Sequence, residues 1–153
     1  MDLFPGYCID TNALIDLWRR RYPPDIFPTL WSLFEQLLDQ GQVIAPKEVL
    51  KELEKRDDEL LRWAKKRHVM FRDLDEPQLG HLRRLLRDHK DLIDPYAESP
   101  KADPFIIALA QAIGWTVITS EMPGKNKIPT LCAEYGIKCF QLLEFFRERN
   151  WSF

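Results

Sequence analysis

At 153 residues the chain is long enough to bury a real core and reads most simply as one domain, residues 1–153. Hydrophobic residues at 45% and charged residues at 30% are ordinary globular values that exclude a disordered chain, and the longest apolar stretch, Phe105 to Ala110, is far too short to span a bilayer. A net charge of −2 argues against a broadly basic nucleic-acid binder, but leaves room for a local basic surface.

The first strand is expected over residues 6–9, ending in the apolar run Tyr7-Cys8-Ile9, and a helix follows from Ala13 to about Arg20. Tyr22-Pro23-Pro24 breaks it, and a second helix from near Asp25 or Pro28 carries Leu30, Trp31, Phe34, Leu37 and Leu38 to a cap at Gly41. Val43-Ile44-Ala45 is a short buried strand, and Pro46 suits the first turn of a helix bearing Val49, Leu50 and Leu53. A helix restarts at Asp57 and runs through Trp63, Val69-Met70-Phe71 forms a minor strand, and Asp75 to His89 is a charged amphipathic helix. Residues 92–100 read as a loop. A helix from Pro104 to Ala112 stops at Gly114, Trp115 to Thr119 is a β-rich strand, and the loop Glu121 to Lys127 precedes a helix from Thr130 to Tyr135. After Gly136 comes a last strand, Ile137 to Phe140, and a helix to about Arg149. This alternation predicts a parallel sheet covered by helices.

Met1-Asp2-Leu3 has no basic segment, so no signal peptide is expected. Three cysteines, Cys8, Cys132 and Cys139, read as buried free thiols of a reducing cytoplasm. There is no Cys-x-x-Cys pair, and His68, His81 and His89 lack metal-ligand spacing, which argues against zinc.

The chemistry lies with the acids. Asp10 stands where a buried strand meets a helix, the place where open α/β sheets hold ligands and metals. It could cap that helix, but Thr11 and Asn12 beside it serve as well, so a functional role is favoured. Asp103 before Pro104 has the form of an N-cap with proline at the first helical position, a reading compatible with metal ligation because the helix dipole keeps a carboxylate ionised. Glu121 follows the second apolar strand as Asp10 follows the first, with a solvated loop acid as the equal alternative. Glu48 and Glu52 are four apart and share a helix face, and periodicity does not choose between them.

If these acids converge, a cation is required. Two carboxylates about 4 Å apart repel by roughly 4 kcal/mol at an effective dielectric of 20. Hard oxygen donors suit Mg²⁺ or Mn²⁺ far better than zinc, and such an ion supports in-line displacement at a phosphodiester. Lys101, Lys125 and Lys127 lie beside the proposed site and are the better candidates for phosphate contacts. The clusters Arg19-Arg20-Arg21 and Lys65-Lys66-Arg67 are further candidates, while Arg83, Arg84 and Arg87 read as a solvated face. Trp31 and Trp115 read as core, with Trp18 and Trp63 open to base stacking.

The set Ile9-Asp10-Thr11-Asn12, Val49 to Leu53, Ala102 to Ala110 and Val117 to Glu121 resembles the PIN domain. The segments at 17–24 and 27–31 resemble, more narrowly, the PIN-like DUF4411 family, and the resemblance covers essentially the whole chain. It implies a three-layer α/β/α fold with a short central parallel sheet of four to five strands. It also implies a Mg²⁺- or Mn²⁺-dependent ribonuclease cutting single-stranded RNA, in many cases the toxin of a toxin–antitoxin pair, with an antitoxin and a homodimer through the first two helices as candidate partners. Carried over by motif, the catalytic and metal-binding acids are Asp10, Glu52, Asp103 and Glu121, with Thr11, Asn12 and Ser120 in support. Glu121 departs from the pattern, in which Asp is commoner. The alternative is a catalytically degenerate module that binds RNA or a protein without cleavage. An aspartyl-phosphate phosphatase ranks last, because Asp10-Thr11-Asn12 lacks the second acid of Asp-x-Asp.

Overall fold

A chain with apolar runs this short builds a narrow sheet. The computed structural model describes residues 5–56 and 58–153. Its five strands are β1 (Tyr7–Ile9), β2 (Val43–Pro46), β3 (Phe71–Arg72), β4 (Thr116–Ile118) and β5 (Cys139–Phe140). All pair in parallel, in the order β3-β2-β1-β4-β5. Tyr7 and Cys8 register with Val43 and Ile44 on one side, and Tyr7, Cys8 and Ile9 with Thr116, Val117 and Ile118 on the other. The central strands are buried throughout, which is why they read as continuous apolar runs rather than alternating ones.

The helices are α1 (Thr11–Ile15), α2 (Pro28–Asp39), α3 (Lys47–Glu54), α4 (Glu59–Lys66), α5 (Glu76–Asp88), α6 (Asp103–Ile113), α7 (Ile128–Glu134) and α8 (Leu142–Glu148). They flank the sheet in the expected three-layer α/β/α arrangement. The central one is α6: Ile106, Ile107, Ala108, Leu109 and Ala110 are buried in succession, so it is apolar nearly all round and packs on β1, β2, β4 and α5. Gly114 ends it in the left-handed conformation, φ 73°. At the start of β1, Gly6 admits no side chain: a Cβ would lie 2.3 Å from the Gln42 carbonyl oxygen and 2.6 Å from the Trp115 ring.

Several boundaries move. The helix expected to reach Arg20 changes after Ile15 into a π-helical turn, Asp16–Arg20, closed by the Arg21 N–H donating to the Asp16 carbonyl at 2.9 Å. Pro46 is extended and ends β2, so α3 begins at Lys47. Residues His68–Met70 form a 3₁₀ turn, and the minor strand shifts to Phe71–Arg72 because it pairs with Ala45 and Pro46. The expected restart at Asp57 lies outside the described residues, as does the Met1-Asp2-Leu3 reading; α4 is capped by Asp58, whose side chain accepts from the Leu61 N–H. Trp31 is core as expected, whereas Trp115 is only half-buried, closing over Gly6 at the amino-terminal end of the central strands. Cys8 and Cys132 are buried and Cys139 is partly so, all three as free thiols. Among the described residues no helix is long and apolar enough to cross a membrane.

Candidate active site

From β1 the chain proceeds to β2 on one side, while β4 lies on the other. The sheet therefore has a topological switch point between β1 and β4, and ligands of open α/β sheets bind outside the carboxyl ends of strands at such a point. Asp10 leaves β1 there, and Thr119, Ser120 and Glu121 leave β4 beside it.

Asp10 is only 2% exposed. Its N–H donates to the Ile118 carbonyl at 3.0 Å, continuing the sheet, and its side chain then caps α1: Oδ1 accepts from the Ala13 N–H at 2.6 Å. The cap is thus Asp10 itself, not Thr11 or Asn12, which lie inside the helix. Oδ2 accepts from the Thr119 hydroxyl at 2.5 Å. Burial pushes this carboxyl up, the Thr119 and Ala13 donors oppose it, and the charges of Glu121 and Asp103 push it further, to about 7.

Of the two glutamates on α3, Glu52 is the one that lines the cleft described below. Its Oε1 accepts from the Thr11 hydroxyl at 3.0 Å and from the Ala102 N–H at 3.1 Å, so one oxygen ties α1 to the start of α6. Glu48 instead faces Lys51 at 3.8 Å. Thr11 therefore supports the second acid, not the first; Thr119 supports the first. Ser120 makes none of the side-chain hydrogen bonds found among the described residues at this site, and Asn12 is exposed on its wall.

Asp103 corrects its expected role as an N-cap. Ala102 occupies the cap position, Asp103 is the first helical residue, and no side-chain capping bond forms. Its carboxylate instead sits with those of Glu121 and Glu52. Burial, then the charge and hydrogen bond of Glu121, then Glu52 raise it to about 7 against the opposing Lys101. Glu121 is pinned at three points: its N–H donates to Thr119 Oγ1 at 3.0 Å, its Oε2 accepts from the Ile128 N–H at 2.8 Å, and its carbonyl accepts from Gln141 Nε2 at 2.6 Å.

Glu52, Asp103 and Glu121 line one cleft of about 420 Å³ together with Asn12, Lys101, Lys125 and Lys127, and Asp10 lies beneath it. A cavity of about 480 Å³ sits at the opposite end of the sheet, around Gly6, Tyr7 and Trp115, where Tyr7 donates to Glu148 at 2.7 Å and, among the described residues, no carboxylate cluster forms. In the other basic clusters, Arg19 pairs with Asp58, Arg20 with Asp16, and Arg67 with Asp39 and Glu35. Trp18 and Trp63 pack with Trp31 and Phe34 in an aromatic cluster, and the Trp63 indole donates to Glu35 at 3.1 Å.

Glu52, Asp103 and Glu121 offer carboxylate oxygens that retain lone pairs beyond the bonds described. Among the described residues no three or more His, Cys, Asp or Glu side chains are arranged as they stand to hold a metal ion. This set suits a hard cation that keeps several waters, as Mg²⁺ and Mn²⁺ do, and not one needing a complete protein shell.

The family described as "Domain of unknown function (DUF4411)" matches the chain over residues 7–153. Among solved structures, FitAcB from Neisseria gonorrhoeae is similar with a TM-score of 0.52 and 18% identity, over 88% of this chain and 96% of that one. VapBC2 from Rickettsia felis, bound to a DNA fragment from its promoter, is similar with a TM-score of 0.51 and 18% identity, over 88% of this chain and 97% of that one. At this identity the likeness is one of fold, and it bears out the PIN-like architecture. No curated protein matches the sequence.

Proposed function

The chain belongs to the DUF4411 family, and from that premise we propose that it is a single-domain, Mg²⁺- or Mn²⁺-dependent endoribonuclease hydrolysing single-stranded RNA. The observation that carries this reading is the convergence of Asp10, Glu52, Asp103 and Glu121, from four separate segments, on one cleft at the switch point of the sheet. Burial first, and the charges of the neighbouring acids after it, raise Asp10 and Asp103 to about 7.

Asp103, Glu121 and Glu52 would hold the cation at the cleft wall, with Asp10 beneath. A bound divalent ion lowers the pKa of water and neutralises charge on a phosphodiester. The chain's own groups do the positioning. Thr119 and the Ala13 N–H fix both oxygens of Asp10, Thr11 and the Ala102 N–H fix Glu52, and the Ile128 N–H fixes Glu121. Lys101, Lys125 and Lys127 on the rim supply the charge to bind the flanking phosphates. The physiological role we propose is that of a cytoplasmic toxin whose antitoxin covers the cleft, with homodimerisation through α1 and α2. This rests on the PIN resemblance and on the likeness of fold to VapBC2 and FitAcB.

Cleavage of a labelled single-stranded RNA in Mn²⁺, Mg²⁺ or EDTA tests the proposal. Metal-dependent cutting that Asp10→Asn and Asp103→Asn both abolish is expected. Equal cutting by the variants would remove the carboxylates from the reaction. Failure of every form to cut or to bind metal would leave a binding module instead.

A further inference from the structure

We propose that Tyr96 is a stacking platform for an unpaired base of the nucleic-acid substrate, on the segment that joins Leu92 and Lys101 of the carboxylate cleft; the inference rests on the nuclease reading above. Tyr96 is the barest large side chain with hydrophobic character among the described residues, at 94% exposure. Exposure alone is ordinary for a surface residue. What sets Tyr96 apart is how it is held and where.

The turn Asp94-Pro95-Tyr96-Ala97 is closed by the Ala97 N–H donating to the Asp94 carbonyl at 3.2 Å, and the Tyr96 N–H donates to Asp94 Oδ1 at 2.9 Å. Aspartate at the first position and proline at the second are the residues that pre-set such a turn. Tyr96 is therefore presented at a fixed tip, and little further ordering of the backbone is needed when a ligand arrives.

The segment leaves the cleft at Leu92 and returns at Lys101, both of which line it. Tyr96 is at most five residues from either, which places its backbone within about 18 Å of the cleft wall even at full extension. The segment is also tied across the cleft mouth. Asp91 Oδ2 accepts from Asn126 Nδ2 at 2.9 Å and faces Lys125 Nζ at 3.7 Å. That bridge holds the start of the Tyr96 segment beside the loop bearing Lys125 and Lys127. It also sets the charge of Lys125 against that of Asp91. A strand with its phosphates along these lysines can lay an unpaired base on the ring. A duplex cannot, because its bases are already stacked and paired.

The test is fluorescence anisotropy with the full chain and a labelled single-stranded RNA on the order of ten nucleotides, in Ca²⁺, with gels confirming that the RNA stays intact. Tyr96→Ala should weaken binding by about 5- to 150-fold, the range expected for loss of one stacked base. Tyr96→Phe and Tyr96→Trp should keep wild-type affinity, Tyr96→Leu should behave like the alanine variant, and duplex RNA should bind wild type and Tyr96→Ala alike. Single-stranded binding that is equal in wild type and Tyr96→Ala, or restored by leucine, overturns the stacking role and leaves the nuclease reading standing. A wild-type protein that neither binds nor cuts single-stranded RNA overturns both.

Discussion

Without metal, the protein should lose stability as the pH rises from 5 to 8, the reverse of ordinary acid denaturation. Asp10 and Asp103 each stand near 7 in the folded chain against an ordinary 3.8. Between those values the folded protein keeps protons that the unfolded chain has released, so every step up in pH favours unfolding. The stabilisation is complete below about pH 4 and is lost as the pH passes through about 7. At about 1.4 kcal/mol per decade, the elevation of Asp10 corresponds to about 4 kcal/mol. Part of that elevation is the charge of Asp103, so the two do not add. From pH 5 to 8 only the part of that span between 5 and about 7 is crossed, so we take about 3 kcal/mol as the scale of the loss over this range, roughly 6–12 °C in Tm for a chain of this length. Thermal denaturation in EDTA at pH 5, 6, 7 and 8 measures it, with Asp10→Asn expected to flatten the slope and Mg²⁺ or Mn²⁺ to offset it most at pH 8. A Tm that is flat or rising over this range in EDTA would refute the argument that crowded, buried carboxylates define the cleft.

Thr119→Val deletes the donor to Asp10 Oδ2 and the acceptor of the Glu121 N–H; urea denaturation at pH 8 should show a loss of about 2–3 kcal/mol, typical of hydrogen bonds to buried charged groups. Glu52→Gln should abolish cleavage in the RNA assay while Glu48→Gln leaves it intact, since only Glu52 lines the cleft; the opposite ranking would reassign the second acid. Because Asp103 stands near 7, Mn²⁺ binding at neutral pH should release on the order of one proton, read by calorimetry in two buffers of different ionisation heat, and Asp103→Asn should suppress that release.

The sequence makes the central strands and Asp10 legible for one reason: β1, β2 and β4 are buried on both faces and stand out as apolar runs that end in turn or cap residues. Gly41, Gly114 and Gly136 mark helix ends because each adopts positive φ. Thr119 was not legible, although it is fully buried, because it read as one more β-branched strand residue. Only the pairing of β1 with β4 brings its hydroxyl to Asp10, 109 positions away. Glu48 and Glu52 share a helix face, so no periodicity separates them; the Thr11 hydroxyl and the Ala102 N–H do, and both depend on how α1 and α6 pack against α3. The π-helical turn at Asp16–Arg20 was hidden because its apolar spacing is nearly that of an α-helix. The two-residue strands β3 and β5 are too short to show any period of their own.

Capping and catalysis need not compete for the same acids. Asp10 accepts from the Ala13 N–H in the first turn of α1, Glu52 from the Ala102 N–H at the cap of α6, and Glu121 from the Ile128 N–H at the start of α7. Three helix starts therefore turn their N–H groups toward one cleft, where they stabilise negative charge and fix the acids that carry it. Asp103 is the one of the four that accepts no such N–H among the described residues, although it occupies the first position of α6. Its ionisation is opposed by burial and by its two acidic neighbours, with Lys101 the counter-charge. The same arrangement underlies the proton-release prediction: below about pH 7 Asp103 holds a proton that a cation bound in the cleft would displace.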